Sequence, residues 1–312
     1  MKRKRLTSSL PRCEQISWSD LEPSALRTLI SLARREDLSG SGFRRSAAHR
    51  GDVTTRSLIA PATAGRARLV ARQPMVVCGL PLVPLILDCY GQSTGFRPLR
   101  RDGDTVEAGD ALGQFSLPAA RLLTAERVIL NFLQHLSGIA TQTARFARLL
   151  AESPTRILDT RKTTPGYRAL EKYAVARGGG WNHRLGLYDR VMIKDNHLAA
   201  RDSGTGSALR DAILAARRRN PDLLIEVEVD ALDQIPAVME ALPEIILLDN
   251  FTPSAIRQAV RLIAGRAAIE ASGGITLDSI PAYAHLGLDF ISSGALVHQS
   301  RWVDIGLDWT PR

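Results

Sequence analysis

Apolar residues recur along this chain with two different rhythms, and the change between them divides it. From Ser19 to Arg34, the residues Leu21, Leu26, Leu29, Ile30 and Leu32 follow a helical period, which predicts a helix with Ser19 or Asp20 as N-cap. A polar stretch from Ser39 to Arg50 reads as an exposed loop. Strand-like segments follow at Ala67 to Arg72 and Val76 to Cys78, with turns at Asp102-Gly103 and Gly109-Asp110. By pattern alone this first region is an α+β domain with an antiparallel sheet.

The rhythm changes near Leu122. Ala125 to Leu150 predicts one long helix, broken near Ser137-Gly138. Beyond it, short apolar runs end at Asp159, Lys194, Glu228, Asp249, Ser272 and Ser293, and helical patterns fit 206–219, 231–241, 253–264 and 278–286. Thr252 and Pro253 form a strong helix start, as N-cap and first helical residue. Six strand-then-helix units in a row argue for a parallel sheet. The even spacing of the last four strand ends argues for a barrel over an open nucleotide-binding sheet, and no G-x-G-x-x-G follows the first strand. Six strands fall short of the eight of a full barrel, so the expectation is an incomplete, open barrel.

Composition narrows the class. The chain has 312 residues, 45% hydrophobic and 23% charged, enough for a sizeable core without disulfide or metal staples. No apolar run approaches the length that spans a bilayer. The basic start, Met1 to Arg5, is not followed by an apolar segment, so residues 1–12 read as a solvated tail and not as a signal peptide. Three cysteines, Cys13, Cys78 and Cys89, with no C-x-x-C, argue for a reducing compartment, the cytoplasm, and against structural zinc. The net charge of +9 admits nucleic acid or small anions as partners. Aromatics are only 5% and do not interleave with the cations, which disfavours a stacking platform for single strands. Residues 159–197 carry eight Lys/Arg against four Asp/Glu, set among glycines at strand ends. A compact anion pocket fits that distribution better than a nucleic-acid groove.

Barrel enzymes work at the C-terminal ends of their strands. Here those ends deliver Asp159-Thr160-Arg161-Lys162, Lys194, Glu228, Asp249, Ser272-Gly273-Gly274 and Ser293-Gly294-Ala295. Any one of these could simply satisfy loop backbone; six on one rim point to a site. Arg161, Lys162, Arg184 and Lys194 make a cationic half, costly to bury unless an anion arrives, with arginine forks suited to carboxylate or phosphate. Glu228 and Asp249 make an acidic half, able to hold magnesium through water or to face a developing cation. The two small-residue loops suit phosphate.

The residues in these positions resemble the quinolinate phosphoribosyltransferase family. The resemblance runs in order through Arg35 to Leu38 with Gly51 to Thr55, Glu126 to Thr141, Asp159 to Gly166, Gly178 to Leu187, Ile193 to His197, Glu226 to Val229, Leu247 to Phe251, Ser272 to Ile275 and Ser293 to Leu296. It implies an N-terminal α/β sandwich, residues 1–128 joined by the C-terminal 296–312, and an open α/β barrel, residues 129–295. It implies that quinolinate and phosphoribosyl pyrophosphate give nicotinate mononucleotide, pyrophosphate and carbon dioxide, with Mg2+, in NAD biosynthesis. Arg161, His183, Arg184 and Lys194 match a basic pocket for the quinolinate carboxylates, and Lys162 with Thr160 belongs to the same wall. Lys162, Lys194, Glu228 and Asp249 are the implied catalytic residues; Glu228 and Asp249 match the pair near ribose and metal. Ser272, Gly273, Gly274, Ser293, Gly294 and Ala295 match phosphate loops. Arg127 matches an arginine that completes the neighbouring site in a homodimer or hexamer; the resemblance alone carries that role.

Two departures stand out: the Ser39 to Arg50 insertion, and Gln73 where an acidic residue is expected. Two other readings compete. A molybdenum-transport-associated relative shares Thr160 to Thr163 and His183 to Leu187, but the full runs at 178–184 and 193–197 favour the quinolinate enzyme. An RNA-binding protein on a degenerate barrel would spread its cations over an outer face and bind with steep salt dependence. The expected partners are small molecules, with neither nucleic acid nor membrane.

Overall fold

The computed structural model describes residues 13–44, 49–200 and 206–310. The basic tail, residues 1–12, and part of the 39–50 segment lie outside them. In chain order the strands are β1 (Ala64–Ala71), β2 (Met75–Val76), β3 (Phe96–Pro98), β4 (Thr105–Val106), β5 (Ala111–Pro118), β6 (Arg156–Leu158), β7 (Val191–Ile193), β8 (Ile225–Val229), β9 (Ile245–Asp249), β10 (Ala268–Ser272), β11 (Phe290–Ser292) and β12 (Ile305–Trp309). By contact density the described residues divide into two units. One draws on 13–15, 145–163, 180–200 and 206–299, the other on 16–44, 49–144, 164–179 and 300–310.

The second of these units is built on an antiparallel sheet of order β12-β1-β5-β3, as the alternating pattern predicts. In β1 exposed and buried positions alternate until Leu69, where a bulge shifts the register against β5. The first helix runs Pro23–Ser39, later than expected. Pro23 fixes its first turn and Glu22 caps it by accepting from Ser24 N–H, while Trp18–Asp20 winds as a separate 3-10 turn. The turn glycines Gly103 and Gly109 both adopt positive φ. Gln73, in place of an acidic residue, accepts the Asp304 N–H at 3.3 Å.

The expected break at Ser137-Gly138 is absent: Ala119–Leu149 is one helix of 31 residues. Packing explains both residues. A Cβ on Gly138 would stand 2.3 Å from the Arg301 carbonyl oxygen, so glycine permits close approach of the Arg301-Trp302 backbone. Ser137 Oγ accepts from Cys78 N–H at 2.9 Å and donates to Cys78 C=O at 3.2 Å. Tertiary contacts, not local propensity, decide this segment.

In the other unit six parallel strands stand in the order β6-β11-β10-β9-β8-β7. The first strand in sequence pairs with the last, as a sheet curling toward a barrel requires, and β6 and β7 leave it open; no closed barrel forms. Trp181 pairs alongside Leu158 of β6, and Asn182 bridges to Glu14. β8, β9 and β10 are buried almost throughout, the mark of strands covered on both faces. Register stacks Glu226, Ile245 and Ala268 in one layer and Glu228, Leu247 and Glu270 in the next, with Asp249 and Ser272 at the rim. Cys13, Leu158, Ile245, Ala268 and Phe290, with Trp181 against them, form a core cluster. Of the predicted helices, Gly206–Arg219 and Pro253–Ile263 form, the latter capped by Thr252 accepting from Ala255 N–H at 3.3 Å. The segment 231–241 splits into a 3-10 turn and Ile235–Glu240, and 278–286 shrinks to Ile280–Ala282 around Pro281.

Candidate functional site

A cavity of about 710 Å³ opens over the C-terminal ends of the six parallel strands. Thr160, Arg161, Lys162, His183, Arg184, Lys194, Glu228, Asp249, Ser272, Gly273, Gly274, Ser293, Gly294 and Ala295 all line it. Arg127 does not: it lies exposed on the long helix of the other unit.

The cationic wall is positioned by buried hydrogen bonds. Asp159 ends β6 fully buried; Oδ1 accepts the His183 N–H at 2.8 Å and Oδ2 accepts from Asn182 Nδ2 at 2.8 Å. It therefore anchors the segment that carries Arg184 and does not itself line the cavity. Leu185 N–H is taken by Asp189 Oδ2 at 2.5 Å, which turns the chain after Arg184. Arg184 is only 8% exposed, yet among the described residues no ion pair holds it. Burial and the neighbouring charge of Arg161 push its pKa down. Arg161 has a buried Nε with no hydrogen-bond partner. Two neighbouring guanidinium groups without a counter-ion make a site that asks for an anion. Lys194 contacts Glu228, and the Lys194 N–H donates to His197 Nδ1 at 3.0 Å, which gives His197 a local supporting role.

The opposite side is acidic. Burial raises Glu228, and contact with Lys194 opposes that rise. Asp249 Oδ2 accepts from Asn250 Nδ2 at 2.8 Å. Asn250 adopts φ 57°, and its side chain fills the space beside Gly273, where a Cβ would lie 2.2 Å from Asn250 Oδ1. Gly273 and Gly274 both have positive φ, a turn that presents successive backbone N–H groups. Ser293 Oγ donates to Ile275 C=O at 2.8 Å and so ties the two small-residue loops together.

Below the rim lies a buried charge cluster that sequence reasoning missed. Arg190 Nη1 donates to Glu226 Oε2 at 2.9 Å, and His183 Nε2 lies 3.2 Å from Glu226 Oε1 and 3.5 Å from Glu270 Oε1. Glu270 is fully buried, lines the cavity and has no hydrogen-bond partner within the normal range at either oxygen. Burial alone would raise Glu226; His183 and Arg190 overcome it and hold the carboxyl well below its usual range. Two effects compete at His183. Burial disfavours the charged ring, but Glu226 and Glu270 push it up to about 10; Arg184 N–H, 2.7 Å from Nδ1, favours the neutral form. In both forms Nε2 bears the proton that the carboxylates receive. His183, Glu226 and Glu270 are close enough to suggest a metal cluster, but Arg190 already occupies Glu226, and the proton on His183 Nε2 leaves that nitrogen no lone pair for a metal. Glu226 and Glu270 were hidden because a strand buried on both faces gives no alternation to mark which residues point inward. Met192, Leu247 and Ile275 add an apolar surface to the same cavity.

Residues 52–137 match the N-terminal domain of quinolinate phosphoribosyl transferase, and residues 139–308 match its C-terminal domain. The chain is 42% identical over 295 residues to the nicotinate-nucleotide pyrophosphorylase [carboxylating] of Mycobacterium leprae (strain TN), covering 93% of this chain and 99% of that one. It is 40% identical over 260 residues to the probable enzyme of that name from Bacillus subtilis (strain 168), covering 83% and 88%. Among solved structures, NadC from Streptococcus pyogenes superposes with a TM-score of 0.83 at 36% identity, covering 94% of this chain and 99% of that one. The nicotinate-nucleotide pyrophosphorylase of Francisella tularensis also gives 0.83, at 32% identity, covering 96% and 100%. With both domains matched in order and the cationic wall and acidic pair gathered on one rim, the chain belongs to the quinolinate phosphoribosyltransferase family.

Proposed function

We propose that this protein transfers the phosphoribosyl group of phosphoribosyl pyrophosphate to quinolinate with loss of carbon dioxide, giving nicotinate mononucleotide and pyrophosphate for NAD biosynthesis. One observation carries the reading: Arg161 and Arg184 stand without counter-ions on one side of a cavity whose other side holds Glu228 and Asp249. A dicarboxylated pyridine supplies the missing negative charge, and an activated sugar faces the carboxylates. The names carried by the relatives agree, and they give no support to the molybdenum-transport-associated alternative.

Arg161, Arg184 and Lys194 hold and orient the pyridine dicarboxylate, and His183, lining the same cavity, supports Arg184 by accepting its backbone N–H. Lys162, exposed on the rim with its stem beside Gly294, serves the departing pyrophosphate with Thr160. As the bond from C1 of the ribose to pyrophosphate breaks, positive charge develops on the sugar, and Glu228 and Asp249 face it. Backbone N–H groups at Ser272-Gly273-Gly274 and Ser293-Gly294-Ala295 receive the phosphate. Once alkylated, the pyridinium nitrogen stabilises the adjacent carbanion as an ylide, so loss of the neighbouring carboxylate needs no covalent enzyme intermediate.

Glu228 and Asp249, both oxygen donors on the acidic side, fit a hard cation that keeps several waters. They would hold Mg2+, which when bound neutralises charge on the pyrophosphate. Arg127, exposed on its helix, serves the neighbouring site in a homodimer or hexamer. A cytoplasmic location suits three free cysteines; among the described residues no helix is long and apolar enough to cross a membrane.

The test is product formation. Purified protein with quinolinate, phosphoribosyl pyrophosphate and Mg2+ should yield nicotinate mononucleotide and carbon dioxide in equal amounts, with little product when nicotinate replaces quinolinate. Folded protein that makes no nucleotide under conditions where a control enzyme does would overturn the reading.

A further inference from the structure

Five charged groups crowd the floor of the barrel, and they are sorted. Arg190 is 5% exposed and donates to the fully buried Glu226 at 2.9 Å; its other Nη lies 3.8 Å from Cys13 Sγ. Glu226 Oε1 receives His183 Nε2 at 3.2 Å, so both oxygens of Glu226 are engaged. Arg184, equally buried and adjacent in sequence to His183, has no such partner. It nevertheless feels Glu226 as an opposite charge and Arg161 and Arg190 as like charges. The same carboxylate could therefore serve either arginine. In this structure Arg190 has it, and Arg184 is left facing the cavity.

We infer that Arg190 is a positioning residue of the anion pocket: by occupying Glu226 it keeps Arg184 free for a ligand carboxylate. The physical reason is the cost of an uncompensated charge. A fully buried carboxylate without a cation is strongly unfavourable, so whichever cation can reach it is drawn to it. With Arg190 in place, both oxygens of Glu226 are engaged and its pull on Arg184 is opposed by the like charge of Arg190. With Arg190 removed, Arg184 is a guanidinium that still feels Glu226, and its capture would remove half of the unpaired arginine pair from the pocket. Arg190 does not line the cavity over the strand ends; it lines an adjoining one with Arg161, Arg184 and Lys194, where its guanidinium is engaged by Glu226.

This inference rests on the proposed function for the identity of the anion, and a coupled set of variants separates the two. Binding of quinolinate and of phthalate, an aromatic 1,2-dicarboxylate without the ring nitrogen, is measured by calorimetry in native protein, Arg190→Gln, Glu226→Gln and the double variant. Steady-state KM values for both substrates accompany it. Removing Arg190 alone should weaken both dicarboxylates by about tenfold, within the range of coupling between contacting residues, while KM for phosphoribosyl pyrophosphate holds. Adding Glu226→Gln should restore affinity to near the native value, because the carboxylate that loses Arg190 is then gone, while Glu270 keeps His183 beside it at 3.5 Å as in the native protein.

If Arg190→Gln does not fold, the double variant, which removes both charges of the Arg190–Glu226 pair, still decides. Native-like dicarboxylate affinity there supports the inference; affinity lost in the double variant overturns it. Unchanged affinity in a folded Arg190→Gln also overturns it, as does a general fall in kcat and both KM effects that Glu226→Gln does not rescue. Native protein that binds phthalate but neither binds nor turns over quinolinate sinks the functional reading, and phthalate then tests the pairing by itself.

Discussion

The protein buries two histidine–glutamate pairs, one in each unit, and they are built for different ends. On the long helix, His135 Nε2 meets Glu171 Oε1 at 2.8 Å; Glu171 is fully buried and its second oxygen accepts the Thr164 N–H at 2.9 Å. The ring of His135 lies against Tyr167 and Trp302. The carboxylate is satisfied on both oxygens, and His135 Nδ1 is the one polar atom of the pair left without a hydrogen-bond partner. In the barrel, His183 faces Glu226 and Glu270 beneath a cavity, and Glu270 lacks a hydrogen bond at either oxygen. Above it Arg161 and Arg184 stand unpaired. The pair chemistry is the same; what differs is completeness. Unsatisfied buried charged groups gathered around one cavity, as Arg161 and Glu270 are, mark where a ligand belongs, whereas single unsatisfied atoms such as His135 Nδ1 and Thr143 Oγ1 line no part of it.

Breaking each cluster should separate these ends. The largest effect is expected from Arg184→Ala. Quinolinate KM should rise by about a hundredfold, in line with the roughly 2–5 kcal/mol lost when one partner of a buried charge contact is truncated. The ligand-free protein should be no less stable, because an unpaired buried cation is removed. A chemical denaturation midpoint well below native would show that Arg184 holds the fold instead.

A smaller effect distinguishes the two histidines. Either His135→Gln or His183→Gln should cost about 1–3 kcal/mol of stability through a disturbed buried hydrogen bond, but only His183→Gln should raise quinolinate KM. Equal KM changes in both variants would erase the contrast. pH sharpens it further. The folded His183 ring titrates above its ordinary value near 6.5, held up to about 10 by Glu226 and Glu270 against burial. Its stabilising contribution is therefore complete below about pH 6.5 and fades as pH rises toward 10. Urea midpoints should decline over that window in native protein and less steeply in His183→Gln. A flat native profile would assign the neutral ring, held by Arg184 N–H.

Much of this arrangement was readable from residue order. Parallel strands buried on both faces appear as short apolar runs, and each ends where the chain meets solvent, so Lys194, Glu228, Asp249 and Ser272 could be placed on one rim before any coordinates. The helix caps at Thr252-Pro253 follow from local chemistry and were equally plain. What stayed hidden depends on contacts distant in sequence. Ser137-Gly138 reads as a helix break until the Arg301 backbone, which needs the missing Cβ, is beside it. Glu226 and Glu270 read as ordinary strand residues until register places them in adjacent layers, where both meet His183. Arg190 looks like one more pocket cation, and only its bond to Glu226 across 36 residues of sequence removes it from the wall.

The proposed function stands on Arg161 and Arg184 forming a receptor for an aromatic dicarboxylate. Calorimetric titration of quinolinate into native protein and into Arg161→Ala tests this most directly. One site per chain in the native protein, with affinity lost in a variant that keeps its native melting temperature, is the predicted result. Equal quinolinate affinity in the two proteins would contradict it.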